Sequence, residues 1–282
     1  MSRPRYYPAV FYGSHRGVFL PADRDPIPLR RQAAFWANVA LQLLYPPRCP
    51  FCGELSGPEL MCAPCARELA RQERKHKRLD PGQHCIAALE GAAAVYPYHG
   101  EAKEALLAAK YHGEAWYAPQ LGCLMAQKLF GCTIARHCGI LYPERISAAA
   151  LGWDRIVPVP SSRRGRGYNI PTLLAQPLCE GLGLPLLTNV LFRKAGSTPQ
   201  AELDYAERLE NAAGAFLPTR RAAAQVEGKR ILLVDDVITT GATVAACTQA
   251  LLAAGAESVF AVSLCVSERG DKFREPASSL AD

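Results

Sequence analysis

The sequence predicts an α/β fold on a parallel sheet, with a small metal-stabilised module in front of it. Three observations carry this. From residue 153 onward, apolar strand-like runs alternate with helix-like runs, the alternation that builds parallel sheets. One of them, ILLV at 231–234, is apolar throughout, as a strand covered on both faces must be. Ahead of this region stand two closely spaced Cys-x-x-Cys pairs.

Taken in order, residues 1–32 carry five prolines and scattered charge with no sustained period, and read as a poorly ordered extension. A helix-compatible run, AAFWANVALQLL, spans 33–44 and is broken by YPPRC. With the cysteine pairs it forms a module over 33–80. The α/β domain spans 85–270, and 271–282 is a polar tail. Within the domain, AAAVYPY reads as a strand, and EAKEALLAAK and WYAPQLGCLMAQKLF as helices, with apolar residues three and four apart. Residues 131–152 read as an irregular loop. Then come a strand at RIVPVP, a helix at NIPTLLAQPLCEGLG, a strand at TNVLFR and a helix at LDYAERLENAAGAF. A strand at KRILLVDD, a helix at GATVAACTQALLAAGA and a strand at SVFAVSLCV complete the pattern.

The chain of 282 residues is 49% apolar with a net charge of +6. Such a balance permits polyanionic partners without requiring them. Its apolar runs are far shorter than the roughly 20 residues of a spanning helix, and no secretory signal is visible. The expectation is a cytoplasmic protein with no membrane span. Eleven cysteines are then too many for disulfides in a reducing compartment. Four of them, Cys49, Cys52, Cys62 and Cys65, form C-P-F-C and C-A-P-C with nine residues between the pairs. Two such knuckles supply four thiolates to a tetrahedral zinc, and all four positions are filled by sulfur, which makes the metal structural rather than catalytic. The competing reading is a pair of redox dithiols. Cys123, Cys179, Cys247 and Cys265 fall in apolar patterns and read as small core residues. His84, Cys85, His112 and His137 find no partner by spacing.

The segment ILLVDDVITTGAT, 231–243, holds adjacent carboxylates at the end of a parallel strand, followed by small and hydroxylated residues opening a helix. Ligands bind beyond the carboxyl ends of such strands. Backbone N–H groups at a helix N-terminus, here Thr239, Thr240, Gly241, Ala242 and Thr243, suit a phosphate. Asp235 and Asp236 suit vicinal ribose hydroxyls, and a nearby magnesium ion would ease their repulsion. The Walker pattern is missing.

DDVITTGAT resembles the 5-phosphoribosyl-1-pyrophosphate (PRPP) motif of type I phosphoribosyltransferases. IVPVPSSRR resembles the pyrophosphate loop of that fold. RGYN and then RKAGSTPQAELDYAERLENAAGAF follow, with Arg193, Thr198, Gln200, Arg208, Asn211 and Phe216. This order behind a four-cysteine finger resembles the competence-associated ComF family, over about residues 43–266. The resemblance implies a type I phosphoribosyltransferase-like domain with an N-terminal zinc ribbon. It implies that Asp235 and Asp236 hold the ribose hydroxyls and the metal, and that Thr239 to Thr243 hold the 5′-phosphate. Pro158, Val159, Pro160 and Ser161 would shape the pyrophosphate site. Arg193 to Gln200 would form a loop that closes over PRPP. Ile170 stands where that family pattern has Gln. Thr239 stands where 6-oxopurine transferases carry a carboxylate, and a threonine cannot serve as that base.

The functional expectation is PRPP binding with Mg2+ and pentosyl transfer linked to DNA uptake. Two alternatives stand beside it: a factor that handles single-stranded DNA with other DNA-uptake proteins, and a PRPP-sensing regulator without turnover. RQERKHKR at 71–78 and the cluster Arg163, Arg164 and Arg166 suit phosphate contacts. The first reads equally as a solvated helix end.

Overall fold

The computed structural model describes residues 47–57, 59–80, 88–137, 140–146, 151–161, 167–194 and 214–267. The expectations for 1–32, the helix at 33–44 and the tail at 271–282 lie outside these residues, as do Gln200, Thr198, Arg208, Asn211, the 163–166 arginines, His84 and Cys85.

In chain order the elements are helix α1 (Ala63–Gln72), strand β1 (Gly91–Pro97), helices α2 (Gly100–Tyr111) and α3 (Tyr117–Phe130), and strands β2 (Ile134–His137), β3 (Ile140–Pro143) and β4 (Arg155–Pro158). Then follow helix α4 (Ile170–Leu182), strands β5 (Leu191–Arg193) and β6 (Phe216–Pro218), helix α5 (Ala222–Val226), strand β7 (Arg230–Ile238), helix α6 (Ala242–Ala253) and strand β8 (Ser258–Val266).

The main sheet has the order β1-β8-β7-β4 with every pairing parallel. Both faces are covered, as a parallel sheet requires. Side chains alternate along β7, so Leu232 and Val234 enter one core with α2, α3 and α4, while Ile231 and Leu233 enter the other with α6. Helices α3 and α4 approach closely at Gly122, where an added Cβ would collide with the backbone carbonyl of Leu174.

Both sheet margins are extended by short segments. Residues 185–187 continue the parallel order beyond β4: the Ile156 N–H donates to the Pro185 carbonyl at 2.9 Å, and the Leu187 N–H to the Ile156 carbonyl at 2.8 Å. On the other margin, residues 74–79 run antiparallel to β1, with N–H donors from Arg74, Ala94 and Leu79 bonded to the carbonyls of Val95, Lys77 and Ala92.

Three expectations are corrected. The supposed loop at 131–152 contains the β2–β3 hairpin, whose Pro143 packs against Gly181 of α4. Four-residue strands are too short to reveal a period. TNVLFR contributes only Leu191–Arg193, and this strand pairs antiparallel with β6, away from the parallel sheet. Finally, the helix expected to run to Phe216 does not include its last residues: Gly214 has φ +75° and Phe216 begins β6.

Candidate functional site

The finger is built around Cys49, Cys52, Cys62 and Cys65, whose sulfurs all lie within 4.8 Å of one another. A tetrahedral zinc with bonds of about 2.3 Å would separate its sulfurs by about 3.8 Å, and Cys52 Sγ to Cys62 Sγ is 3.5 Å. The donor set therefore fits zinc. The first knuckle is turned by the Gly53 N–H, which donates to the Cys49 carbonyl at 2.9 Å, and Gly53 takes φ +75°. The second pair opens α1, with Cys62 as its N-cap and a proline in the first turn. Burial, followed by the neighbouring cysteine sulfurs, pushes the Cys65 thiol far up, while a hydrogen bond from the Cys65 backbone lowers Cys62. Bringing four thiolates together needs a cation, and zinc is the one this geometry suits.

The second site lies at the carboxyl ends of β4 and β7. From β4 the chain crosses through α4 on one face to residues 185–187. From β7 it crosses through α6 on the opposite face to β8. Strand order therefore reverses between β4 and β7, the place where open parallel sheets bind ligands. β4 ends at Pro158, paired with Val234, and the Val159 N–H donates to the Val234 carbonyl at 2.9 Å. β7 runs on for four more residues, so its last stretch, containing the buried Asp235 and Asp236, extends past the last β4 pairing.

The β4 end carries Pro158 and Val159, both buried, then Pro160 and Ser161, both partly exposed. Asn169 braces this turn: its Nδ2 donates to the Val159 carbonyl at 2.9 Å and to Thr172 Oγ1 at 3.0 Å. On the β7 side, Gly241 is buried with φ +85° and caps α6. The Ala242 N–H donates to Thr240 Oγ1 at 3.2 Å. Thr239, Thr240 and Thr243 are partly exposed around this helix start, and no acidic residue occupies the first turn of α6. The helix N-terminus thus presents its positive end beside the carboxyl end of β7.

A family model described as a phosphoribosyl transferase domain matches residues 135–279, and one described as a double zinc ribbon domain matches 40–76. The chain belongs to the phosphoribosyl transferase domain family. With the zinc ribbon in front, this phosphoribosyl transferase chain has the composition of the ComF family. Among curated proteins, "DNA utilization protein YhgH" of Salmonella typhi is 41% identical over 115 residues, covering 40% of this chain and 49% of that protein. "Competence protein F" of Haemophilus influenzae is 34% identical over 38% of this chain and 47% of its own length. "Adenine phosphoribosyltransferase" of Frankia casuarinae is 38% identical over 40% of this chain and 53% of its own length. The chain spans about half the length of these relatives.

The acid pair of this phosphoribosyl transferase domain is split by the sheet. Alternation along β7 sends Asp235 toward α6, where it faces Cys247, and Asp236 toward α2, where Lys110 Nζ lies 2.7 Å from Asp236 Oδ2. Burial, then the charge of Asp236, pushes the Asp235 carboxyl up to about 7, although the Asp236 N–H and Lys110 act against this. That N–H donates to Asp235 Oδ1 at 2.8 Å. Burial works against the Lys110 charge, but Asp236 outweighs it, and Lys110 is raised. Tyr98 stands beside this pair at the end of β1, its hydroxyl raised by burial.

Arg193 ends β5 with its guanidinium 5.5 Å from the Phe216 ring centre. Leu191 and Phe216 share the core of α6 with Cys247, which places β5 and Arg193 on the Asp235 face of the sheet. Lys110, Tyr98 and the bracing role of Asn169 are not legible along the chain. Lys110 sits in the last turn of a helix, where a lysine is already accounted for by the dipole, so no local signal distinguishes it. His112 is exposed beside it. No helix among the described residues is long and apolar enough to cross a membrane.

Proposed function

We propose that the crevice between β4 and β7 binds PRPP with Mg2+ and that the chain transfers its pentosyl group. The observation that carries this is the meeting, at one topological switch point, of a glycine-capped helix start, two carboxylates and the Pro158–Ser161 turn. In this reading the N–H groups of Thr239 to Thr243 hold the 5′-phosphate. Asp235 and Asp236 accept the ribose hydroxyls. Pro158, Val159, Pro160 and Ser161 shape the diphosphate side, and Arg193, at the end of β5, and Gln200 contact PRPP. Bound with PRPP beside Asp235 and Asp236, magnesium would offset the charge of the leaving diphosphate. An acceptor nucleophile bonds to C1 as the C1–O bond to diphosphate breaks. The relative named an adenine phosphoribosyltransferase favours turnover. The relatives named for DNA utilization and competence favour a role in handling incoming DNA, with single-stranded DNA and DNA-uptake proteins as partners in the cytoplasm.

Calorimetry with magnesium–PRPP tests the site. Asp235→Asn should weaken binding about tenfold or more, as loss of a charged hydrogen-bond acceptor does. Gly241→Val should abolish it, because a β-branched residue resists φ +85° and its side chain crowds the phosphate. Wild-type protein that binds no magnesium–PRPP refutes the reading. Unchanged affinity in Asp235→Asn refutes the ribose role of that residue. Release of diphosphate across a panel of acceptors separates a transferase from a PRPP sensor.

A further inference from the structure

We propose that Lys110 enables this site to hold a ribose 5-phosphate group that carries neither diphosphate nor metal. The inference rests on the PRPP reading above and deepens it. Its basis is the ion pair between Lys110 Nζ and Asp236 Oδ2, 2.7 Å long, with both side chains mostly buried. Lys110 lies outside residues 135–279, so it is contributed by a part of the chain that the phosphoribosyl transferase model does not cover.

Two carboxylates at a strand end repel each other, and a phosphorylated sugar adds further negative charge nearby. A divalent cation is one way to offset this. Here an ammonium group is already in place, and the fold holds it there. The end of α2 is fastened by the Tyr168 hydroxyl, which donates to the carbonyl of Ala109 at 3.3 Å. Tyr168 directly precedes Asn169, which braces the turn after β4. One short segment therefore ties both the lysine and the diphosphate side of the crevice. Asp236 is thus positioned as an acceptor for a ribose hydroxyl without a metal ion, and the 5′-phosphate meets the start of α6. Only the diphosphate of PRPP then calls for magnesium. The ligand class is ribose 5-phosphate and nucleoside 5′-monophosphates, the latter being what remains when a base displaces diphosphate.

The test is calorimetry with ribose 5-phosphate, in magnesium-free buffer without chelator, so that the ribbon keeps its zinc, and in magnesium, on wild-type protein and on Lys110→Gln, with magnesium–PRPP as the reference ligand. Wild-type protein should bind ribose 5-phosphate with affinities in the two buffers that agree within about threefold, the spread expected when no ion pair is gained or broken. Lys110→Gln should lose about tenfold or more without magnesium and recover part of that loss in magnesium. A purely structural role for Lys110 would not produce recovery by magnesium. Equal affinity of variant and wild type without magnesium overturns the proposal. So does a wild-type protein that binds magnesium–PRPP but requires magnesium for ribose 5-phosphate, and that result leaves the PRPP reading intact. A wild-type protein that binds neither ligand overturns both. If Lys110→Gln fails to fold, the wild-type comparison between the two buffers decides alone.

Discussion

Asp235 shows how burial and function pull against each other at a single residue. Its carboxyl is raised from 3.8 to about 7, first by burial and then by Asp236. In the unfolded chain it ionises near its ordinary value, so between about pH 4 and pH 7 the folded chain binds more protons than the unfolded one. Stability therefore falls as pH rises through that window and stays lowered above it. The penalty is on the order of a few kcal/mol at neutral pH. Asp235→Asn cannot ionise, so it should raise the melting temperature of ligand-free protein at pH 8 and leave it nearly unchanged at pH 4. An equal shift at both values would mean that the charge of Asp235 is not what destabilises the fold.

At the scale of elements, the site depends on how closely helices pack. α3 and α4 meet at Gly122, and α4 begins at the residue after Asn169, which braces the turn beyond β4. An added methyl at Gly122 would strike the Leu174 carbonyl, so the backbones must part. Gly122→Ala should destabilise by about 1–3 kcal/mol, as overpacking does, measured by urea unfolding. Glu73 plays the complementary role at the end of α1. It accepts from Lys77 at 2.6 Å and from Lys128 of α3 at 2.7 Å, linking the ribbon's helix to the main domain. These bonds outweigh burial and lower the Glu73 carboxyl.

For the molecule as a whole, the zinc ribbon and the sheet are joined through residues 74–79 along β1. The ribbon has few buried apolar side chains of its own, chiefly Leu60 and Leu69, so metal should supply much of its folding energy. Purified protein should carry one zinc per chain, and Cys49→Ser should lose it and expose α1 to protease. Full zinc content in that variant would refute the site. The same joining segment bears on nucleic-acid binding. Arg74 and Arg78 donate to backbone carbonyls, and Lys77 pairs with Glu73. Three of the cations in RQERKHKR thus bond within the structure, although Arg78 is exposed, and of the other two Arg71 is exposed and pairs with Glu68 at 2.9 Å while Lys75 is exposed. If single-stranded DNA binds here, affinity should fall with salt, and Arg71→Gln with Lys75→Gln should reduce the salt slope by about 0.7 for each phosphate no longer neutralised. An unchanged slope would leave this stretch as part of the sheet margin alone.

The sequence by itself determined those features whose cause is local. Two Cys-x-x-Cys knuckles bring sulfurs together because each spans a single turn. An apolar run ending in DD and then TTGAT becomes strand, turn and helix start because each residue's own preferences agree with its neighbours'. The parallel sheet follows from strands that are apolar on both faces. Tertiary structure decided what depends on distant partners. The sheet's alternation separated Asp235 from Asp236, and the packing of α2 brought Lys110 to one of them from 126 positions away. The short strands β2, β3, β5 and β6 exist because another strand pairs with them, and three or four residues carry no period of their own. An ion pair across such a separation has no signature along the chain, since it is set by the path of the backbone between its ends.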